Sequence, residues 1–353
     1  MQKKKLSVIK VQQVAELING ELMNSPAIGS FEGYTTHLEN VQRGMLFFAI
    51  NPHHIDSALQ RGAFGVVFDK FVQTHMNDEE IAWIKVESIP QSIVRLIRYE
   101  LMINGVQMFA LNPIQYAIAH KLIRDKNTLF FDDTPMNLLD ALESAPANII
   151  ATSPQILDLA LECTPCSTPQ TMPFDIITPH PMFESKFYYK LHSYQIPLPS
   201  VFLPELAAIT DMCVRSGIAF DFAHFEPIAS LLPISLAQDA RIVPFGSSNR
   251  VIIPTNDKDI FLRYAKFLNQ NAKWARIVML IPTLLSEEEE DIYTLYEDQN
   301  QKPLEPICYD SSNELPILLK TTPYNFGLIF GISTQGLAFV LAQNTQEYAP
   351  ALF

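Results

Sequence analysis

Short apolar runs alternate with segments whose apolar residues recur at helical spacing along most of the chain. The strongest instance is the stretch Val106 to Ile123, VQMFALNPIQYAIAHKLI. Val106–Leu111 predicts a short buried strand, Asn112 is a good N-cap, and Pro113 sits where a first helical residue needs no N–H. Ile114, Ala117, Ile118 and Leu122 follow at helical spacing with one apolar face. Ahead of this stretch, Val11, Val14, Leu17 and Ile18 mark a helix that Gly20 ends. Strands are then predicted at Met45–Ile50, Gly65–Phe68 and Ile81–Val86, with a helix around Ile55–Gln60 and a linker helix over Ser92–Ile103. Beyond it come strands at Thr128–Phe131 and Asn148–Thr152, a helical run Gln155–Glu162, a helix ending at Gly217, and a helical pair over Phe220–Leu232. Val251–Ile253, Ile277–Ile281, Ile307–Tyr309 and Gly327–Gly331 then alternate with helical segments near 259–269, 286–296, 312–319 and 334–342, a spacing that implies a parallel sheet. The fold class is α/β, with three domains at 1–87, 88–245 and 246–353.

Composition narrows the function. With 353 residues, 48% hydrophobic and 18% charged, the chain is long and apolar enough for several cores. A formal charge of −13 argues against a nucleic-acid footprint, which needs a clustered basic face. Its only basic cluster, Lys3–Lys5, precedes Leu6–Leu17, which Ser7, Lys10, Gln12, Gln13 and Glu16 interrupt, so no signal-peptide core is expected. No run approaches the ~20 apolar residues of a membrane span. Four cysteines make no disulfide framework, and cytoplasm is the expected compartment. Twelve glycines, about half of the ~7% average, fit a chain without glycine-rich ligand loops.

Candidate chemistry is sparse. The strand-to-helix turn at Leu111–Ile118 is where an α/β domain holds a phosphate, since helix N-terminal amides and the helix dipole face outward there. It lacks glycines, a lysine and a Ser/Thr hydroxyl. Cys163-Thr-Pro-Cys166 is a lone C-x-x-C. A redox pair would open a helix, whereas this one follows a helical run and leads into a Pro/Ser/Thr loop, and zinc would need further ligands from Cys213, Cys308 or a histidine. His53-His54 reads as exposed loop, and Asp132-Asp133 as a turn with helix-entry charge. Ser286 with Glu289 reads as a capping box, and Phe220, Phe222 and Phe225 as core. Gly331-Ile-Ser-Thr-Gln-Gly336 is the one turn with phosphate-loop character.

The order VAELINGEL, V-x-x-G-M-L-F-F-A-I and S-A-L-Q-R-G-A-F-G-V-V-F resembles the N-terminal, UDP-substrate-binding domain of the Mur ligases. The MurF and MurE branches, which add amino acids to the peptidoglycan precursor, are the nearest in pattern. His37-Leu38-Glu39 stands where that family has Asp-Ser-Arg, and Asn51-Pro52-His53-His54 where it has a D-G-H motif. Laid over the family's T-G-S-N-G-K-T-T-T, the central turn has Asn112 and Gln115 in place of glycines, Tyr116 for the phosphate-binding lysine and Ala117 for the magnesium-holding threonine. Thr134-Pro135-Met136-Asn137 matches a family T-P-x-N turn, and Ala151 stands at a magnesium-holding glutamate. Asp175–Thr178 resembles the next buried strand, and Lys186 and Lys190 lie near the place of a modified lysine without matching it. Pro204 replaces the adenine-contacting asparagine. Val251–Asp259 represents the D-D-S-Y-N-A-N-P loop without its aspartates, tyrosine or proline in place.

The resemblance implies a three-domain Mur-ligase-like architecture with a degenerate P-loop-type central domain and a Rossmann-like C-terminal domain. A tyrosine cannot neutralise a γ-phosphate, and an alanine offers no oxygen to a hard cation. The expected function is therefore that of a non-catalytic, protein-binding or scaffold component linked to the bacterial cell wall or envelope. No cofactor, metal or nucleic acid is expected, and no UDP-sugar precursor. The alternatives are an ATP-dependent amide ligase with a relocated site and a nucleotide-binding protein using the Gly331 turn.

Overall fold

The computed structural model describes residues 9–70, 78–286, 292 and 306–346. The chain divides into two compact units, Met1–Ser167 with Met212–Phe220, and Thr168–Asp211 with Asp221–Phe353.

The first unit carries two mainly parallel sheets. One has the strand order Glu21–Leu22, Ala82–Lys85, Gly65–Phe68, Met45–Phe48 and Gly33–Thr35, with only Glu21–Leu22 antiparallel to its neighbour. Its side chains alternate between two cores, as a period of two requires. Leu46, Phe48, Val67 and Ile84 join one, while Phe47, Val66, Phe68 and Trp83 join the other. The second sheet has the order Cys163–Pro165, Gln107–Ala110, Asn148–Ala151, Thr128–Phe130, all parallel.

Between the sheets in sequence runs the helix Ile89–Ile103, and its face of Ile89, Ile93, Leu96, Ile97 and Leu101 is buried. That face belongs to one continuous core with Leu46 and Ile84 of the first sheet, Met108 and Ile149 of the second, and Leu138 and Leu139 of the helix Pro135–Ala141. The two sheets thus share a single interior. One buried polar cluster bridges its elements: the Tyr34 hydroxyl donates to the buried Glu100 carboxylate, which also accepts from the Asn104 side chain at 2.8 Å.

The second unit holds an antiparallel sheet of Asp175–Ile176, Ser185–Tyr189 and His192–Ile196. Its six-stranded sheet has the order Ile242–Val243, Ile234–Leu236, Arg250–Thr255, Phe326–Phe330, Ile277–Pro282, Pro306–Tyr309. The last four strands are parallel, and the two that begin the order are antiparallel additions. Helices Leu315–Thr321 and Thr334–Gln346 contribute Leu315, Leu319, Leu337 and Leu341 to a core that takes Ile252, Leu280 and Ile329 from the strands. The helix Lys258–Asn271, capped by Asp257, packs Phe261 edge-on to Phe330, with ring centroids 5.5 Å apart.

Three expectations are corrected. The helical run over 155–162 shrinks to Pro154–Leu157, because the chain from Cys163 is drawn into the sheet edge. Asp175–Thr178 is no buried strand: Asp175–Ile176 is exposed and pairs antiparallel with Ser185–Tyr189. Over Phe220–Leu232 the only helix is the 3-10 turn Ala229–Leu231. Phe222 instead joins a ring cluster with Phe187, Tyr189 and Tyr194, at centroid distances of 5.0, 5.3 and 5.2 Å. The core reading of Phe222 and Phe225 agrees with their burial, whereas Phe220 is half-buried. The helix expected at 286–296, the Glu289 half of its capping box, and Lys3–Lys5 lie outside the described residues. No helix among the described residues is long and apolar enough to cross a membrane.

Candidate functional site

The turn after Gln107–Ala110 lies at the carboxyl end of an inner parallel strand, where such folds bind ligands. The Leu111 N–H donates to the Ala151 carbonyl at 3.0 Å, and the helix Pro113–Leu122 starts directly. Asn112 and Gln115 form a reciprocal capping box. The Gln115 N–H donates to Asn112 Oδ1 at 2.8 Å, and the Asn112 N–H donates to Gln115 Oε1 at 3.1 Å. Gln115 is itself buried, and its Nε2 donates to the Cys166 carbonyl at 2.9 Å.

This arrangement bears directly on phosphate chemistry. A polyphosphate needs several free amides, a cation and a hard oxygen for magnesium. Here two amides are taken by side chains, Pro113 has none, and the Tyr116 N–H is bonded within the helix to the Asn112 carbonyl at 2.9 Å. Tyr116 is half-buried with its ring edge-on to Phe130 at 5.4 Å; burial, and then Asp132, push its phenol up. Ala117 is half-buried, and Ala151 is fully buried in its strand. The residues present do not fit a magnesium–nucleotide.

The neighbouring acids are used separately, each on its own backbone and side-chain donors. Asp132 accepts from the N–H groups of Thr152 and Ser153, at 2.6 and 2.9 Å, and so ties two strand ends together. Asp133 accepts from Asn137 Nδ2 at 2.5 Å and from the Thr134 N–H at 2.7 Å, and these bonds hold its carboxyl below the ordinary range. His53 and His54 are exposed in the 3-10 turn Pro52–His54. Among the described residues no group of three His, Cys, Asp or Glu side chains is placed to hold a metal.

Cys163–Pro165 is not loop but the edge strand beside Gln107–Ala110, and the chain enters the expected Pro/Ser/Thr loop at Cys166. Residues three apart on an extended chain face opposite sides. The half-buried Cys163 thiol donates to the Leu157 carbonyl at 3.1 Å and is pushed up by burial. Cys166 extends the ladder through its N–H to the Ala110 carbonyl at 3.0 Å and, with its own carbonyl, anchors Gln115. Neither is in a disulfide.

Sequence reasoning passed over a cluster around His37. His37 Nδ1 lies 2.5 Å from Asp140 Oδ2, and the Thr36 hydroxyl donates to the same oxygen at 3.1 Å. The partners are 103 residues apart in sequence, and no local motif announces them. The Asn112-x-x-Gln115 capping pattern, in contrast, is a local signal present in the sequence.

In the second unit, Lys186 pairs with Glu184 at 3.7 Å, and Lys190 turns the hairpin with φ +54°. Pro204 is half-buried in the first turn of the helix Leu203–Ser216. The Gly331 turn follows an inner strand into the helix Thr334–Gln346. Gly331 has φ +85°, and a Cβ there would sit 2.6 Å from the Pro282 ring. The Tyr309 hydroxyl crosses to donate to the Phe330 carbonyl at 2.5 Å, and Ser333 Oγ accepts the Gly336 N–H at 3.1 Å. The carboxyl end of this sheet is bridged by the Tyr309 side chain, with one helix amide already capped.

Sheets and sites together define a multi-domain α/β protein built on parallel sheets. Comparison with solved structures places it more narrowly, giving it a Mur-ligase-like fold. MurF from Acinetobacter baumannii matches with a TM-score of 0.54 and 11% identity, over 97% of this chain and 100% of that one. The UDP-N-acetylmuramoylalanyl-D-glutamyl-2,6-diaminopimelate–D-alanyl-D-alanyl ligase of the same organism gives 0.50 and 13%, over 98% and 100%. MurF ligase from Thermotoga maritima, solved in complex with ADP, gives 0.52 and 11%, over 89% and 97%. No family model and no curated protein matches the chain.

Proposed function

We propose that this chain is a non-catalytic Mur-ligase-like protein, a pseudoenzyme that acts in the cytoplasm by binding a protein partner in cell-wall or envelope assembly. The observation that carries this reading is the capping box at Asn112 and Gln115, which turns two amides of the central turn onto its own side chains. Acyl-phosphate chemistry needs ATP, magnesium and fixed positive charge against a multiply charged transition state. Tyr116, Ala117 and Ala151 supply no cation, and neither alanine offers a side-chain oxygen. The Tyr309 bridge over the Gly331 turn weighs against the nucleotide-binding alternative in the same way.

Calorimetry and thermal unfolding with millimolar ATP and magnesium test the reading. No saturable heat and no shift of the midpoint are expected, and the same holds for a UDP-MurNAc-peptide. A saturable stabilisation by ATP and magnesium that is lost on substituting Asn112 and Gln115 would overturn it.

A further inference from the structure

The loop that joins the helix Lys258–Asn271 to the strand Ile277–Pro282 lies at the amino end of the parallel strands, opposite the end that carries the Gly331 turn. In its sequence Ala272-Lys-Trp-Ala-Arg276 the two alanines are buried, whereas Lys273, Trp274 and Arg276 are exposed. Backbone bonds hold that pattern. The Ala272 N–H donates to the Leu268 carbonyl at 2.8 Å and the Ala275 N–H to the Ala272 carbonyl at 2.9 Å. The Arg276 N–H donates to Asn325 Oδ1 at 3.0 Å, and the Asn325 N–H returns a bond to the Arg276 carbonyl at 2.8 Å.

Trp274 is 75% exposed, whereas the chain's other tryptophan, Trp83, is 1% exposed. Its indole meets the Phe326 ring edge to face, with centroids 6.1 Å apart, and the rest of it is open to solvent. An indole fixed on a held loop leaves a partner little ordering cost to meet, and tryptophan and arginine are the residue types that dominate binding energy at protein contacts. Charge completes the picture. Among the described residues neither the Lys273 nor the Arg276 side chain has an ion-pair partner. Between Asp259 and Glu287 the sequence holds four basic residues and no acidic one, in a chain whose formal charge is −13. The corner is therefore locally positive on an acidic molecule. A bilayer or nucleic acid would face the repulsion of that whole charge, whereas a short peptide segment meets the corner alone.

We infer that this corner is a docking site for an acidic segment of a partner protein, with an apolar side chain covering the Trp274 indole and carboxylates paired with Lys273 and Arg276. The inference rests on the partner-binding reading above and gives the chemistry of one contact: the acidic body draws a basic partner at long range, and this corner takes an acidic stretch on it.

The probe is a short capped peptide of glutamates around a single leucine, compared with peptides in which glutamine or lysine replaces the glutamates. Acrylamide quenching of tryptophan emission is read on the full chain, since Trp83 is buried and the quenchable signal belongs to Trp274. Saturable protection by the glutamate peptide is expected, several-fold weaker at about 0.5 M than at about 0.05 M salt, and none by the other two. Replacing Lys273 and Arg276 together by glutamine should weaken the glutamate peptide about tenfold, the size of two exposed charge contacts. Trp274→Ala should abolish saturation transfer to the peptide's leucine methyls; because Trp274 is largely exposed, the thermal midpoint should stay put and show that the fold is intact. The inference is overturned by no saturable protection from the glutamate peptide, by equal protection from the lysine peptide, by methyl saturation that survives Trp274→Ala, or by phosphatidylglycerol vesicles protecting Trp274 more strongly than the peptide does. Any of these, with ATP and magnesium still without effect, removes this site and leaves the non-catalytic reading standing.

Discussion

Gln115 shows how one side chain can decide the chemistry of a turn. Its amide satisfies the Asn112 N–H and the Cys166 carbonyl at once, so it closes the helix N-terminus and pins the edge strand. Gln115→Ala leaves a buried carbonyl and a helix-end amide unmet and is expected to cost about 2 kcal/mol in urea unfolding. Gln115→Glu keeps the capping oxygen but loses the donor to Cys166, and should fall between. Arg250 works on the same principle in the second unit. Among the described residues it is buried without an acid, with its guanidinium bonded to the carbonyls of Gln238, Leu319 and Thr322 and lying 4.2 Å over the Tyr324 ring. Two of those carbonyls end the helix Leu315–Thr321, so the charge also meets the negative end of the dipole. Arg250→Ala should cost about 3 kcal/mol, and Arg250→Lys should recover less than half of it, since an ammonium has no planar fork. Equal stability of the lysine variant and the parent would sink this account.

At the scale of elements, the helix Ile89–Ile103 is the member on which the first unit depends. Its buried face contributes to one core with both sheets, so those sheets should open together rather than in turn. Leu96→Ala is expected to cost about 3 kcal/mol and to lower amide-exchange protection in Met45–Phe48 and Asn148–Ala151 by similar factors. Leu280→Ala, in the other unit, should affect the six-stranded sheet and leave those strands unchanged. Loss of protection in only one of the two sheets would refute the shared interior. This helix, the inner parallel strands and the capped helix after Asn112 were legible in the sequence, because buried parallel strands are nearly continuous apolar runs and amphipathic helices have a clear period. Less was legible where pairing is short and antiparallel. Asp175–Ile176, Ile234–Leu236 and Ile242–Val243 are two or three residues long and carry no readable period. Phe220–Leu232 misled because its aromatic spacing served a ring cluster. At the candidate site, the identities of Tyr116 and Ala117 could be read directly, whereas the Gln115 bond to Cys166 and the His37–Asp140 pair span 51 and 103 residues and exist only once the sheets are built.

For the whole molecule, the charge of −13 shapes how a protein partner would be met. An acidic surface accelerates encounter with a basic one and disfavours nucleic acid, and this steering weakens as salt shortens the screening length from ~10 Å at 0.1 M to ~3 Å at 1 M. If the chain works by binding a protein, affinity purification from the native organism with crosslinking should recover a stoichiometric partner. Its contact face should be richer in Lys and Arg than in Asp and Glu, and recovery should fall several-fold between about 0.05 and 0.5 M salt. ATP and magnesium should not change that recovery, which separates a binding protein from a ligase that captures a partner during turnover. Recovery of the free chain alone at both salt concentrations, together with unaltered growth and morphology in a deletion strain, would remove the basis for a partner-binding role.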